Sequence, residues 1–485
     1  MNATAPIRRW ARATPAAAAY QSAIGNVVSY GELERTIDAI AHRIRDRGIV
    51  AGRTAVIATD HHYRYIVVAL AMARLGVAFA PASLPARYTD VVLQDAGAKG
   101  NGCGRIIAFG EFWPGGSRDA HAALPPVAMH EDASTTFMQC PSSGTTGGPK
   151  FVPISHAIVL RRVAGRDPKS GGEPSDTAVR QACLVSVFTS YGFTSVLSVL
   201  SAGGTVLEPC RHADLLPTWL ADSRVTHIVG APIALEKIAW LMPDDHGTIA
   251  LKAIEVGGGA LTASVHELLC RRMCANITIN YGSTESGRVC GAAAAQILGR
   301  EGAVGFRYPG VEIEIVDESD ARLGPGEEGI VRLRSERCAT RYLDNAQASA
   351  ATFRGGWTYP GDVGVVDADG LLRILGRVDD VINRGGVKIN PHTIEAAIMA
   401  LGDVREVAVF GFRSAEGITV VGAAVVPLAE LDPVAYHARC RNQIGQNAPV
   451  LIMHLRELPR NSNGKVLRRE LASMALASRS SAVSA

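Results

Sequence analysis

Cys140-Pro141-Ser142-Ser143-Gly144-Thr145-Thr146-Gly147-Gly148-Pro149-Lys150 is the stretch on which the reading of this chain turns. Four hydroxyl residues, three glycines and one lysine fall within the nine residues from Ser142 to Lys150. Apolar Phe137-Met138 leads in and Phe151-Val152-Pro153-Ile154 leads out, so the segment reads as a loop leaving a strand end. Glycines let the backbone approach a ligand, and exposed N–H groups with Ser/Thr hydroxyls can wrap phosphate oxygens. Lys150 adds a positive charge. The nucleoside triphosphatase P-loop requires Gly-Lys-Ser/Thr at its end, and Pro149-Lys150-Phe151 does not supply it. Alone, the segment is equally a polar surface loop. Its partners along the chain decide between the two.

Outward from the loop, the alternation of elements is regular. Strand-like segments at Ala182–Val187, Thr205–Glu208, Thr226–Val229, Ala253–Val256 and Ile277–Asn280 alternate with helical ones at Phe193–Leu200, Ala213–Ala221, Ile233–Leu241 and Ala263–Met273. Short links between strands and helices imply right-handed crossovers and a parallel sheet covered by helices. Before the loop, Ser29-Tyr30-Gly31-Glu32 has the form of a capping box, and Leu33, Ile37, Ile40 and Ile44 follow at helical spacing until Gly48. Thr54–Thr59 and Val77–Ala80 read as strands flanking a helix over His62–Leu75. After about residue 300 short β segments take over, at Val311–Val316, Gly329–Leu333, Val363–Asp367 and Leu371–Leu375, which suggests a small antiparallel barrel or sheet. Beyond Gly376 a third region has helices at Ile394–Leu401 and Val434–Ile444 and strands at Glu406–Phe410 and Val420–Val426. The Ala/Ser-rich residues Ala475 to Ala485 read as a frayed end.

Composition narrows the function classes. At 485 residues the chain exceeds one domain by the usual prior. A formal charge of +3 implies no polyanion such as nucleic acid as partner. Nine cysteines without a CxxC pair or a Cys/His cluster argue against structural zinc and fit a reducing compartment. The most apolar stretch, Tyr65 to Leu84, is interrupted by Arg74, Gly76 and Pro81 and reads as a core helix followed by a strand, not a membrane span. With no apolar run after Arg8, Arg9 and Arg12, no secretion signal is read, and a cytoplasmic protein is expected.

Six further segments carry chemistry. Gly257-Gly258-Gly259 follows a strand, where ligands of parallel sheets sit, and such a turn can lie flat under a ring. Asn280-Tyr281-Gly282-Ser283-Thr284-Glu285 gathers an aromatic face, an amide, hydroxyls and a carboxylate able to hold a divalent cation. Trp357-Thr358-Tyr359-Pro360-Gly361-Asp362 places an aspartate where it can accept both hydroxyls of a ribose. Gly376-Arg377-Val378-Asp379-Asp380 and Asn383-Arg384-Gly385-Gly386-Val387-Lys388-Ile389 mark a change of composition, and Asn461-Ser462-Asn463-Gly464-Lys465 puts a lysine in a polar loop. Taken singly, each is equally a turn or linker.

In this order and at this spacing the segments resemble the adenylate-forming superfamily, which includes acyl-CoA synthetases, adenylation domains of peptide synthetases and firefly luciferases. The resemblance runs from the helix at Tyr30 to Lys465. It implies an α/β fold: a large N-terminal domain of helix-covered parallel β-sheets plus a small β-barrel (about residues 300–375), hinged to a small α+β C-terminal domain, with domains at 1–378 and 379–485. It implies that Ser142, Ser143, Gly144, Thr145, Thr146, Gly147 and Lys150 handle the β,γ-phosphates of ATP, and that Gly257, Gly258, Gly259 and Asn280 surround the adenine while Tyr281 stacks on it. Thr284 would contact the α-phosphate, Glu285 would be the magnesium ligand, and Asp362 would accept the ribose hydroxyls with Arg377 nearby. Asp379 would be the hinge, Gly385 and Gly386 the loop lining the thiol's approach, and Lys465 the bridge between substrate carboxylate and α-phosphate.

The implied reaction has two halves: a carboxylate attacks the α-phosphorus of MgATP, then a thiol, CoA, takes the acyl group and AMP leaves. A stand-alone enzyme loading a separate carrier protein is the alternative, and a nucleotide-binding pseudo-enzyme a third reading that Lys465, Glu285 and Asp362 oppose. Two departures stand out. Pro360 replaces the family's usual Thr before Gly-Asp, and Thr189 occupies the substrate-gate segment where His or an aromatic is common. No acidic residue lies between Leu184 and Gly204 to meet an α-ammonium. Leaving that group unpaired would cost ~1–3 kcal/mol or more, so an aryl or fatty acid is expected instead of an amino acid. Thr189, Tyr191 and Gly282 are the expected substrate-pocket residues, Gly282 indicating an acid larger than acetate.

Overall fold

The computed structural model describes residues 1–95, 105–113, 125–142, 150–164, 179–243, 250–384, 387–414, 418–460 and 466–482. The chain forms two compact units, one of Met1–Gly299, Val304–Ile313 and Leu333–Pro360, the other of Arg300–Ala303, Glu314–Arg332 and Gly361–Ala485. This division differs from the 378/379 boundary read from the sequence.

The first unit holds two sheets. One runs in the order Ile106–Ala108, Val91–Gln94, Thr54–Ala58, Ala78–Pro81, Thr136–Ser142, Lys150–Ser155. Its first five strands are parallel, and the last pair, flanking the hydroxyl-rich loop, is antiparallel. Thr54–Ala58 is buried at every position, as a central parallel strand covered on both faces must be. The second sheet sets Arg180–Cys183, His227–Gly230, Ala253–Gly257 and Ile277–Ser283 side by side and parallel. The first three are followed in the chain by the helices Ser190–Ser201, Pro232–Leu241 and Ala263–Arg272. Their carboxyl ends therefore point to one edge, the place where parallel sheets take ligands.

Helix Ser190–Ser201 is buried on nearly every side because it is the centre of the core. Its Phe193 lies 4.8 Å from Phe79 and 5.9 Å from Phe137, which are themselves 5.2 Å apart on the first sheet. Each such ring removed from water contributes roughly 2–3 kcal/mol. The expected capping box is present: Glu32 N–H donates to the Ser29 side chain, and Ser29 N–H donates to Glu32 Oε2 at 2.9 Å, opening helix Tyr30–Asp46. The interruption at Arg74 is a buried ion cluster. Arg74, fully buried, donates to Asp38 at 2.7 Å and to Glu34, and Arg8 donates to the same two carboxylates at 2.8 and 2.5 Å.

Two sequence readings change. The strand predicted to stop at Asn280 continues to Ser283, because Gly287–Ala293 pairs antiparallel with it beyond the point where its parallel neighbour ends at Gly257. The residues expected in a turn are thus half in a hairpin, whose turn is Thr284–Ser286. The end expected to fray is helical: Arg468–Ala482 forms a helix, with Leu471 and Ala475 fully buried. Alanine's high helix propensity and an apolar stripe explain it.

In the second unit, Asp362–Val366 pairs antiparallel with Leu371–Arg377 and with the start of Gly329–Arg334, where the barrel-like part was expected. Val404–Arg413 and Thr419–Pro427 form a long hairpin, and Leu451–His454 joins it in parallel. Alternation along the hairpin feeds two faces. Val409, Val421, Ala423 and Val425 pack with Ile394, Ile398 and Tyr436. Ala408, Phe410, Phe412, Ala424 and Val426 pack with Leu458, Leu471 and Ala475. Arg468 ties this part together, donating to Glu395 at 2.8 Å, Asp380 at 3.3 Å and the Val409 carbonyl at 3.0 Å. No helix among the described residues is long and apolar enough to cross a membrane.

Candidate active site

Ser142 ends one strand of the first unit, Lys150 begins the next, and the two pair in register. Of the expected site residues, Ser143, Gly144, Thr145, Thr146, Gly147, Gly385, Gly386 and Lys465 lie outside the described residues. At the loop's base stands Glu285, from the hairpin turn, only 5 % exposed. Its Oε1 accepts from the Ser142 hydroxyl at 2.5 Å and from the Tyr342 hydroxyl at 2.7 Å. Burial opposes its charge, but these hydrogen bonds outweigh burial and hold its carboxyl below the ordinary glutamate value. Lys150 Nζ sits 5.3 Å from the centre of the Tyr342 ring, so one tyrosine touches both the loop's lysine and the buried carboxylate. Thr284 Oγ1 points to the Pro141 carbonyl at 3.5 Å.

Arg162, which the sequence reading did not single out, lies behind this turn. Its guanidinium donates to the carbonyls of Thr284 at 3.1 Å, Glu285 at 3.0 Å and Arg337 at 2.9 Å, and to Ser190 Oγ at 3.0 Å. It also explains Gly287, where a Cβ would stand 2.8 Å from Arg162 Nε. Burial pushes the Arg162 guanidinium down to about 10, still charged at neutral pH. A single buried cation thus fixes the carbonyls of the Thr284-Glu285 turn. Nothing in one sequence distinguishes it from the exposed Arg161 beside it.

A second cluster covers one face of the sheet. Tyr191 OH donates to Glu255 Oε1 at 2.7 Å, and Arg288 Nη1 lies 3.2 Å from both Glu255 Oε2 and Asn280 Oδ1. Tyr308 OH also donates to Asn280 Oδ1. Asn280 is directly across from Gly257 in register, and its Nδ2 is buried with no hydrogen-bond partner among the described residues. An orphaned amide beside a glycine turn fits a ring nitrogen or other acceptor. Gly258 has φ +82° with open space around it, and Gly257 leaves room for the Tyr191 hydroxyl, which a Cβ would meet at 2.7 Å. Gly259 packs near Pro232, and Tyr281 is half-buried on the strand next to Asn280. Gly282 has a backbone reason to lack a side chain: a Cβ there would stand 2.0 Å from the Gly287 carbonyl oxygen. Thr189 caps the core helix, accepting from Gly192 N–H at 3.1 Å and donating to the Ser186 carbonyl at 2.8 Å.

In the second unit, Asp362 and Arg377 face each other across a hairpin, with Arg377 Nη1 donating to Asp362 Oδ1 at 2.9 Å. Asp362 is 7 % exposed. Gly361 before it has φ +80°, a conformation that favours glycine. Asp379 falls in a short 3-10 segment, Val378–Asp380.

Parallel strands whose carboxyl ends bear a hydroxyl-rich loop, a glycine turn and a buried, ionised glutamate are the architecture of the adenylate-forming superfamily. The chain belongs to the AMP-binding enzyme family, whose model matches residues 7–101 and 106–343. It is 25 % identical over 490 residues to a feruloyl-CoA synthase of Amycolatopsis sp, covering 96 % of this chain and 97 % of the other. Among solved structures it is similar to ATP-bound MatB from Rhodopseudomonas palustris, with TM-score 0.84, 24 % identity and coverage of 98 % and 99 %. It is also similar to o-succinylbenzoate coenzyme A synthetase (MenE) from Bacillus subtilis in complex with ATP and magnesium ion, with TM-score 0.83, 21 % identity and coverage of 96 % and 98 %.

Proposed function

We propose that this protein is an AMP-forming acid–thiol ligase, which activates a carboxylic acid with ATP and passes the acyl group to CoA. The observation that carries the reading is Glu285: buried, held ionised, and hydrogen-bonded to Ser142 at the mouth of the hydroxyl-rich loop. A buried carboxylate kept charged is suited to a divalent cation, and magnesium bound there would neutralise phosphate charge. In the first half-reaction a carboxylate oxygen bonds to the α-phosphorus and pyrophosphate leaves. In the second, the thiol sulfur bonds to the acyl carbon and the acyl–oxygen bond to AMP breaks. Two anions meet in the first step, so catalysis is positioning and charge neutralisation, without a side-chain nucleophile.

The residues divide this work. Ser142 to Lys150 hold the β,γ-phosphates, and Thr284 touches the α-phosphate, its turn held by Arg162. Asn280 offers its buried amide to the base, with Gly257 to Gly259 beneath and Tyr281 beside it. Asp362 accepts the ribose hydroxyls and Arg377 orients Asp362. Lys465 bridges the two reacting anions, Asp379 serves as hinge, and Gly385-Gly386 lines the thiol's approach. The acid lacks an α-amino group, since the gate segment Leu184–Gly204 contains no acidic residue. Loading of a carrier protein is not favoured: the feruloyl-CoA synthase and the o-succinylbenzoate coenzyme A synthetase that resemble this chain are both CoA enzymes by name. Pyrophosphate release over a panel of acids, with and without CoA, tests the reading. Acid-dependent pyrophosphate and CoA-dependent AMP are expected, and ATP use independent of any acid would refute it.

A further inference from the structure

Glu255 has no part in the nucleotide chemistry, and Arg288 meets it through Asn280 Oδ1 while pairing with Glu255. Both lie on the face of the sheet that carries Gly257 and Asn280, and both keep part of their side chains exposed, 21 % and 17 %. Glu255 is two residues before Gly257 on one strand, about 7 Å from the glycine turn toward the strand's amino end. That distance is roughly an aromatic ring with one substituent. Tyr191, from the gate segment, reaches over Gly257 to donate to Glu255. A gate residue, a carboxylate, a guanidinium and the Tyr308 hydroxyl thus share one wall next to the turn.

We infer that the Glu255–Arg288 pair, with Tyr191, is the specificity element that reads the end of the acid remote from its carboxylate, and that this end carries a hydroxyl. The inference rests on the ligase reading above and deepens it. A hydroxyl can donate to the Glu255 carboxylate while accepting from Arg288 or Tyr191, so it takes the place of the water around the pair. An alkyl chain laid on the same wall strips that water and returns no hydrogen bond. The pairing also removes Glu255 as a partner for an ammonium, since Arg288 already balances its charge. Fatty acids are therefore poor substrates, and a hydroxylated aryl acid is a good one.

The test compares kcat/KM for 4-hydroxycinnamate, cinnamate and octanoate by pyrophosphate release, in the wild type, in Glu255→Gln and in Glu255→Leu/Arg288→Leu. The wild type should prefer the hydroxylated acid over cinnamate by about 10²-fold, with octanoate poorer still. In the double variant that ratio should fall toward one, since an apolar pair can replace an ionic one without loss of fold. Glu255→Gln should lower the ratio about tenfold and gives the answer if the double variant does not fold. A purely bracing role would lower all acids together and leave the ratio unchanged, which overturns the inference. Wild-type preference for octanoate or cinnamate overturns it too, while leaving the ligase reading intact. No turnover with any acid, despite magnesium-ATP binding by calorimetry, would sink the ligase reading and this inference with it.

Discussion

Replacing Glu285 by glutamine removes a charge and little else. The carboxylate is 5 % exposed and accepts two hydroxyl hydrogen bonds, at 2.5 and 2.7 Å, through a single oxygen. A glutamine carbonyl can accept both, each neutral bond being weaker than its charge-assisted counterpart by about 1 kcal/mol. Burying an amide instead of a charge recovers a similar amount, so net stability should change by no more than about 2 kcal/mol. The effect on adenylation is of another size. Losing one fixed charge from a site where two anions must meet costs about 3–4 kcal/mol in the transition state, or 10²–10³-fold in rate. The assay is pyrophosphate exchange titrated with free magnesium, beside thermal melting of both proteins. Exchange within threefold of wild type at saturating magnesium would refute the metal role. A collapse of melting temperature matching the activity loss would show Glu285 to be a structural carboxylate.

The hinge and the bridging lysine can be separated by single-turnover kinetics: Asp379→Pro should spare adenylation and stall thioester formation, because proline fixes φ and removes an N–H. Lys465→Ala should do the reverse, and equal damage to both halves in each variant would mean that the two roles are misassigned. Arg74→Met should destabilise the protein by about 3 kcal/mol in denaturant melts, as it leaves Glu34 and Asp38 buried with Arg8 alone; an unchanged midpoint would mean that Arg8 suffices. Burial pushes His62 and His156 down to about 4, and His156 Nδ1 accepts from Ala3 N–H at 3.1 Å, so both are neutral when folded. The unfolded chain protonates them near 6.5 and binds more protons, so stability is full above that pH and falls between pH 6.5 and 4. The loss should reach about 3 kcal/mol per histidine at most, and a His156→Gln variant should show a shallower slope in melting against pH.

Much of the fold was legible because the strands of the second sheet are apolar runs punctuated by glycine and separated by helix-length segments. The helix at His62–Leu75 ends where its Gly76 takes φ +70°, and the Ser29 cap works as its letters imply. What escaped depends on partners distant in the chain. Asn280 to Ser283 reads as a turn until Gly287–Ala293 is there to pair with it. The tail from Ala475 reads as frayed until the hairpin face that helix Arg468–Ala482 covers is known. The site divides in the same way. Glu285 and Asp362 are visible because they sit in segments of special composition. Arg162, Tyr342, Glu255 and Arg288 are ordinary letters in ordinary elements, and only packing brings them to the turn or the wall where they act.

The central claim is that the acid's own oxygen becomes bonded to the α-phosphorus. An acid labelled with 18O in its carboxylate, incubated with the protein, magnesium-ATP and CoA, reports this directly by mass spectrometry of the products. The account predicts AMP carrying one 18O, unlabelled pyrophosphate, and an acyl-CoA that has lost one labelled oxygen. Label in inorganic phosphate together with ADP, or acyl-CoA formed with unlabelled AMP, would contradict it.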